Sequence, residues 1–358
     1  MIVDMTPISF IDKERDIKPE MKERDSNMEL LRCIAMLLVV LVHIDFLSLG
    51  LPTREETLHM PISVFMRFLT QSVSVVCVNV FVLLSGWYGI RFNLKRLGAL
   101  LFQVFFFSIL IYVCLAIICP ADYLNLSSLS RVFMLNSEDY WFVKSYILLF
   151  LFAPFLNALV ESEDGRKMVK DILIVFFLFQ TIYGWLSIRG AIELEGGYSA
   201  LSFMGLYLLV RALRHYDYDT SRYSGKQYIY SFCGIALFNA LLAFFLARKN
   251  LIIFGRIFTY TNPLVIFQSL LLVLSFSRFK IKSKFVNWVA ISCFAVYLTH
   301  ANEFILRPFY GRWIKSLFEE QNSMTFILVV VCTILIIFLV SVLLDKIRLY
   351  IWVKIVGK

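Results

Sequence analysis

Long apolar runs separated by short polar intervals organise this chain of 358 residues. A helix that crosses a bilayer needs about 20 mostly apolar residues. Ten stretches meet that pattern: 30–50, 67–90, 97–119, 141–160, 170–188, 197–213, 228–247, 257–277, 286–306 and 325–345. The sixth is short and opens at Gly196-Gly197. No heptads or repeats interrupt the series. The longest interval, 120–140, with Pro120 and the polar run NLSSLSR, is too small for a separate domain. The pattern predicts an all-α integral membrane protein of about ten transmembrane helices over 26–345. A polar tail at 1–25 precedes them and a basic segment at 346–358 follows.

Composition agrees. Hydrophobic residues make up 59% of the chain and charged ones 17%, with mean hydropathy +0.76. A soluble domain is about 45–50% apolar and about 25% charged, so a soluble globular or disordered chain is excluded. Seven cysteines are scattered through apolar stretches with no CxxC pair. They read as small hydrophobes rather than a disulfide framework or a metal site.

Charge then orients the helices. The net +9 is not accompanied by aromatics interleaved with basic residues in polar segments, which argues against nucleic acid as a partner. With the N-terminus inside, inner segments hold 18 Lys and Arg and outer ones 10, Arg54, Arg67, Arg131 and Arg189 among the latter. Positive residues favour the cytoplasmic side, so N-in, C-in is expected. The mixed-charge tail has no apolar core of a signal peptide and reads as cytoplasmic.

Ionisable residues inside a span are costly and mark candidate sites. Arg32 falls near the cytoplasmic end of the first span, and His43 and Asp45 in its outer third. Eleven residues at about 1.5 Å each separate Arg32 from His43 by roughly 16 Å, and eleven steps of about 100° return both side chains to one face. Other polar residues share the depth of His43: Lys144, Asn262, His300 and Glu303. His300 and Glu303, three apart, are expected to be neighbours on one helix face. A solvated outer pocket accounts for this level. The plainer readings are an Arg32 that snorkels to head groups, a packing His300, an interhelical Asn79, and interfacial Asp45 and Glu303.

The segment Ser26-Asn-Met-Glu29-Leu-Leu-Arg32 and the ten residues from Cys33 to Val42 before His43 resemble the opening signature of membrane acyltransferase family 3. Later segments resemble it in order: Val78-Asn79 to Ser85-Gly86, Tyr140-Trp141 to Lys144-Ser145-Tyr146, Pro154 to Asn157, Ser202 to Tyr207, Tyr260-Thr-Asn262-Pro263, and Tyr297 to His300. The resemblance covers roughly residues 26–345. It implies transfer of an acyl group from cytoplasmic acyl-CoA, acetyl-CoA foremost, to a hydroxyl of a surface polysaccharide or its lipid-linked precursor. His43 is then catalytic, and Arg32 binds or positions the donor. Glu29, Asn79, Trp141, Lys144, Asn262, His300 and Glu303 are the candidate substrate-binding residues. Many members carry an Arg-rich motif after the second span; here the residues are Arg91-Phe-Asn-Leu-Lys95-Arg96, with different spacing.

The chemistry is consistent with those residue types. A neutral imidazole can take the proton of an attacking hydroxyl, and a guanidinium at the inner mouth suits phosphate. Lys144 or Asn262 is a candidate oxyanion donor. The resemblance implies the lipid bilayer, acyl-CoA and a glycan acceptor as partners, in a bacterial inner membrane, and no permanent cofactor or metal is expected. The alternative is a transporter or flippase. No inverted repeat supports it, and the polar level lies off the midplane where transporter sites gather.

Overall fold

The computed structural model describes residues 25–136, 139–187 and 193–356. Residues 1–24 of the expected tail at 1–25, Arg189 and Lys358 lie outside the described residues. All regular structure among the described residues is helical. The principal helices are α1 (Ser26–Val42), α2 (Pro61–Ser74), α3 (Cys77–Tyr88), α4 (Leu94–Ile118), α5 (Trp141–Glu161) and α6 (Gly165–Phe179). They continue with α7 (Ala200–His215), α8 (Gly225–Arg248), α9 (Pro263–Arg278), α10 (Lys284–Ala290), α11 (Phe294–His300) and α12 (Ser323–Val356).

Among the described residues, eight helical stretches are long and apolar enough to cross a membrane. They correspond to all of the expected spans but the sixth and the ninth. The sixth, α7, has 16 residues. Gly196 and Gly197, at φ +63° and +101°, hold a backbone that other residues rarely adopt. Ser199 then caps the helix by accepting from the Ser202 amide. The ninth is broken into α10, α11, a short turn Glu303–Ile305 and a wide π-helical turn Leu306–Gly311. Asn302 makes the decisive break, because its Oδ1 accepts from the Phe304 amide at 3.0 Å and starts a new helix there.

Close backbone contact and polar clasps hold the bundle. α3 lies so near α7 that a Cβ on Gly86 would come within 2.6 Å of the Tyr207 carbonyl oxygen, the small-residue packing that membrane helices use in place of a hydrophobic drive. At the same end, Asn157 of α5 donates to the Ile90 carbonyl at 2.9 Å and accepts from the Tyr207 hydroxyl at 2.8 Å and Arg211 Nε at 3.1 Å. The Pro154–Asn157 and Ser202–Tyr207 segments therefore close the ends of three helices.

α12 continues past the boundary drawn at 345. Asp345 is buried there, accepting from Gln103 of α4 at 2.8 Å and from Arg348 at 2.8 Å. Arg348, read from sequence as a loop charge, is thus part of a buried pair.

Candidate functional site

α1 ends at Val42, and the chain widens into a π-helical turn over His43–Leu49. Such turns leave carbonyls out of register and recur at functional sites. Ser48 answers one of them, its hydroxyl donating to the His43 carbonyl at 2.6 Å. Arg67 of α2 braces the rest: its Nε donates to Asp45 Oδ1 at 2.8 Å, and its Nη2 to the Gly50 carbonyl. Both partners of the ion pair are nearly buried. Asp45 is therefore not interfacial, and Arg67 is not a loop charge. Together they lock the turn that carries His43.

His43 meets His300 from the other end of the chain. Its Nδ1 is 2.9 Å from His300 Nε2, and His300 Nδ1 faces the carbonyl of Val296, one turn back on α11. A carbonyl only accepts, so His300 Nδ1 carries a proton. In a neutral imidazole the opposite nitrogen is then an acceptor. His43 Nδ1 must donate to it, which leaves His43 Nε2 with a free lone pair. The Val296 carbonyl thereby specifies which nitrogen of His43 is basic.

That imidazole lines a cavity of about 580 Å³. One wall is aromatic, built from Trp141, Tyr198 and Tyr260, with the Trp141 ring 4.4 Å from Tyr198 and Tyr198 5.1 Å from Tyr260. Glu303 and Arg307 line it too, their charged groups 3.8 Å apart. Apolar residues Met36, Val39 and Phe81 complete the lining toward the middle of α1. Tyr140 also borders the cavity in a left-handed conformation, φ +44°, costly for a side-chain-bearing residue. Its hydroxyl fixes it there, donating to the Leu298 carbonyl at 2.6 Å and accepting from Asn302 at 2.7 Å. Burial pushes the Tyr140 hydroxyl above its ordinary range. Neighbouring Asp139 is likewise raised by burial, against the pull of Arg131.

The candidates read from sequence fall into three groups. His43, Trp141 and Glu303 line the cavity, and His300 stands directly behind His43. Arg32 lies at the far end of the same helix, paired with Glu29. Asn79, Lys144 and Asn262 are outside the lining. Asn79 donates to the Tyr260 carbonyl at 3.1 Å, and Lys144 to the Asn136 carbonyl at 2.6 Å. Asn262 caps α9 through the Leu264 amide at 2.9 Å. The expected helix face shared by His300 and Glu303 is corrected by the break at Asn302: α11 ends at His300, and Glu303 starts the next turn. Sequence reading missed Arg67, Tyr198 and Tyr260. An Arg some twenty residues from an intramembrane Asp was a usable signal for the first; nothing in the pattern distinguished the tyrosines.

A family profile described as an acyltransferase domain matches residues 25–346, nearly the whole described chain and every residue of this site. No curated protein and no solved structure matches the chain.

Proposed function

The chain belongs to acyltransferase family 3, and from that premise we propose that it is an O-acyltransferase of a bacterial inner membrane. It takes an acyl group, acetyl foremost, from cytoplasmic acyl-CoA and places it on a hydroxyl of a surface polysaccharide or its lipid-linked precursor. The loop charges orient the Asp25 end of α1 toward the cytoplasm and the His43 cavity toward the outer half of the membrane.

The observation that carries this reading is the Val296–His300–His43 chain of contacts, from which a lone pair on His43 Nε2 follows for neutral imidazoles. A sugar hydroxyl is a weak nucleophile. As its oxygen attacks the thioester carbonyl carbon, its proton passes to His43 Nε2. The C–S bond then breaks, the ester forms, and the departing thiolate takes that proton back. Positive charge that develops on His43 is shared with His300 through the 2.9 Å hydrogen bond. The aromatic wall suits a sugar ring, whose C–H faces pack on aromatic surfaces while its hydroxyls reach Glu303 and Arg307.

Two carboxylate–guanidinium pairs divide the remaining roles. Glu29–Arg32 lies on the donor side, between the cytoplasmic end of α1 and His43, where it positions the arm of the donor. Glu303–Arg307 lies at the acceptor side. The test is transfer of labelled acetyl from acetyl-CoA to surface glycan by the purified protein in lipid nanodiscs. The wild type is expected to label the glycan and His43→Ala to lose that activity. Equal labelling by both proteins removes His43 as the base, and no labelling by the wild type from any acyl-CoA removes the reading.

A further inference from the structure

Met28 and Met36 lie on one face of α1 and belong to two different cavities. Met36 lines the cavity of His43, whereas Met28 lines a second one, of about 430 Å³, at the Asp25 end. Eight residues at about 1.5 Å each place the two methionines about 12 Å apart along the axis. Arg32 lies midway. Met28, Arg32, Met36, Val39 and His43 recur at intervals of four, four, three and four, so all five project from a single stripe.

The second cavity is electropositive. Arg214, from the end of α7, meets Lys280 and Lys282, from the segment joining α9 to α10, and one carboxylate, Asp25, opposes them. The guanidinium of Arg214 lies 4.7 Å from the Trp87 ring centre, which fixes its position. Asn27 ties the start of α1 to α9 by donating to the Phe276 carbonyl at 2.7 Å. Four separate parts of the chain thus converge on a concave, cationic, aromatic-backed site. None of these residues belongs to the cavity around His43.

We propose that this cavity holds the nucleotide end of the donor. The phosphates of CoA lie against Arg214, Lys280 and Lys282, and the pantetheine arm runs along the α1 stripe past Arg32 to deliver its thioester to His43. This assignment rests on the reading of the chain as acyl-CoA-dependent. The fifteen residues from Met28 to His43 cover about 22 Å, a span of the same order as an extended pantetheine with its acyl group.

Anionic lipid head groups offer the same phosphate chemistry, and the experiment separates the two sources. CoA binding is measured on the full chain in nanodiscs of zwitterionic lipid, for the wild type, Arg214→Ala, and Lys280→Glu with Lys282→Glu. The variants are expected to bind CoA at least about tenfold more weakly and to bind pantetheine, which lacks the nucleotide, as the wild type does. In turnover, KM for acetyl-CoA rises by the same factor. Neither kcat at saturating donor nor turnover of acetyl-pantetheine changes, which a misfolded variant does not allow. Unaltered CoA affinity overturns the proposal. So does a charge-reversed variant that loses only its hold on anionic lipid. A wild type that binds CoA in this lysine-dependent way but moves no acyl group keeps the nucleotide site and defeats the acyltransferase reading instead.

Discussion

His43 Nδ1 and His300 Nε2 are 2.9 Å apart, although 257 residues separate them in the chain. The Val296 carbonyl at the far side of His300 makes this contact directional. Under the proposed mechanism, replacing His43 by Ala is expected to lower kcat by on the order of 10²- to 10⁴-fold, with little change in donor affinity. Single-turnover measurement with labelled donor checks it.

His300 acts through His43, so its replacements grade by what they offer His43 Nδ1–H. His300→Leu leaves that donor unmet and frees the tautomer, with an expected loss of about 10- to 100-fold. His300→Gln presents an amide oxygen in its place and retains most of the activity. Equal losses in the two variants would show that His300 only packs.

The pair also sets an acid limit. A proton added to His43 Nε2 occupies the lone pair, and one on His300 Nε2 breaks the contact. Activity is therefore expected to fall toward low pH, and the limb reports the coupled pair rather than either residue alone. In His300→Gln the limb reports His43 alone, so its midpoint moves; kcat/KM profiles of both proteins test this.

Arg67 and Asp45 brace the turn beneath His43. Removing one partner of a buried pair leaves a charge unmatched and costs about 3–5 kcal/mol. Arg67→Met is expected to lower thermal stability sharply. Asp45→Leu with Arg67→Met recovers most of that loss, since both charges are gone, while activity stays reduced because the turn has lost its clasp. Thermal unfolding in detergent, read beside transfer activity, separates the two effects.

Trp141 lines the cavity, and the proposed function assigns it to the acceptor. Trp141→Ala is expected to raise acceptor KM about five- to tenfold, the scale of an aromatic contact beyond simple area burial. Hydrolysis of acyl-CoA in the absence of acceptor stays unchanged. A parallel fall in that hydrolysis would move Trp141 to the donor side.

Most of the helices could be read from hydropathy, because a stretch of about 20 apolar residues has few other fates. The two that depart do so through single residues. Gly196 and Gly197 shorten α7, and the Asn302 cap breaks the ninth span, an effect that a window average hides. Within the site, the position of His43 could be read from an ionisable residue inside an apolar span, and its alignment with Arg32 from helix geometry. Partners could not. Asn79, Lys144 and Asn262 have the residue types and depth of ligands, yet they bond to backbone carbonyls or cap a helix. Arg67 looked like a solvated charge until α2 placed it against Asp45. Depth can be computed from one helix, but pairing requires knowing which helices touch.

The contact between α1 and α11 has a consequence for biosynthesis. The His43 imidazole enters the bilayer with α1, and His300, which sets its proton in the proposed mechanism, arrives only with α11. A nascent or truncated chain thus carries His43 without a fixed tautomer, and acyl-transfer capacity arises as a late assembly event. Two fragments divided between α7 and α8 and produced together should restore a working enzyme, while neither fragment alone should possess one.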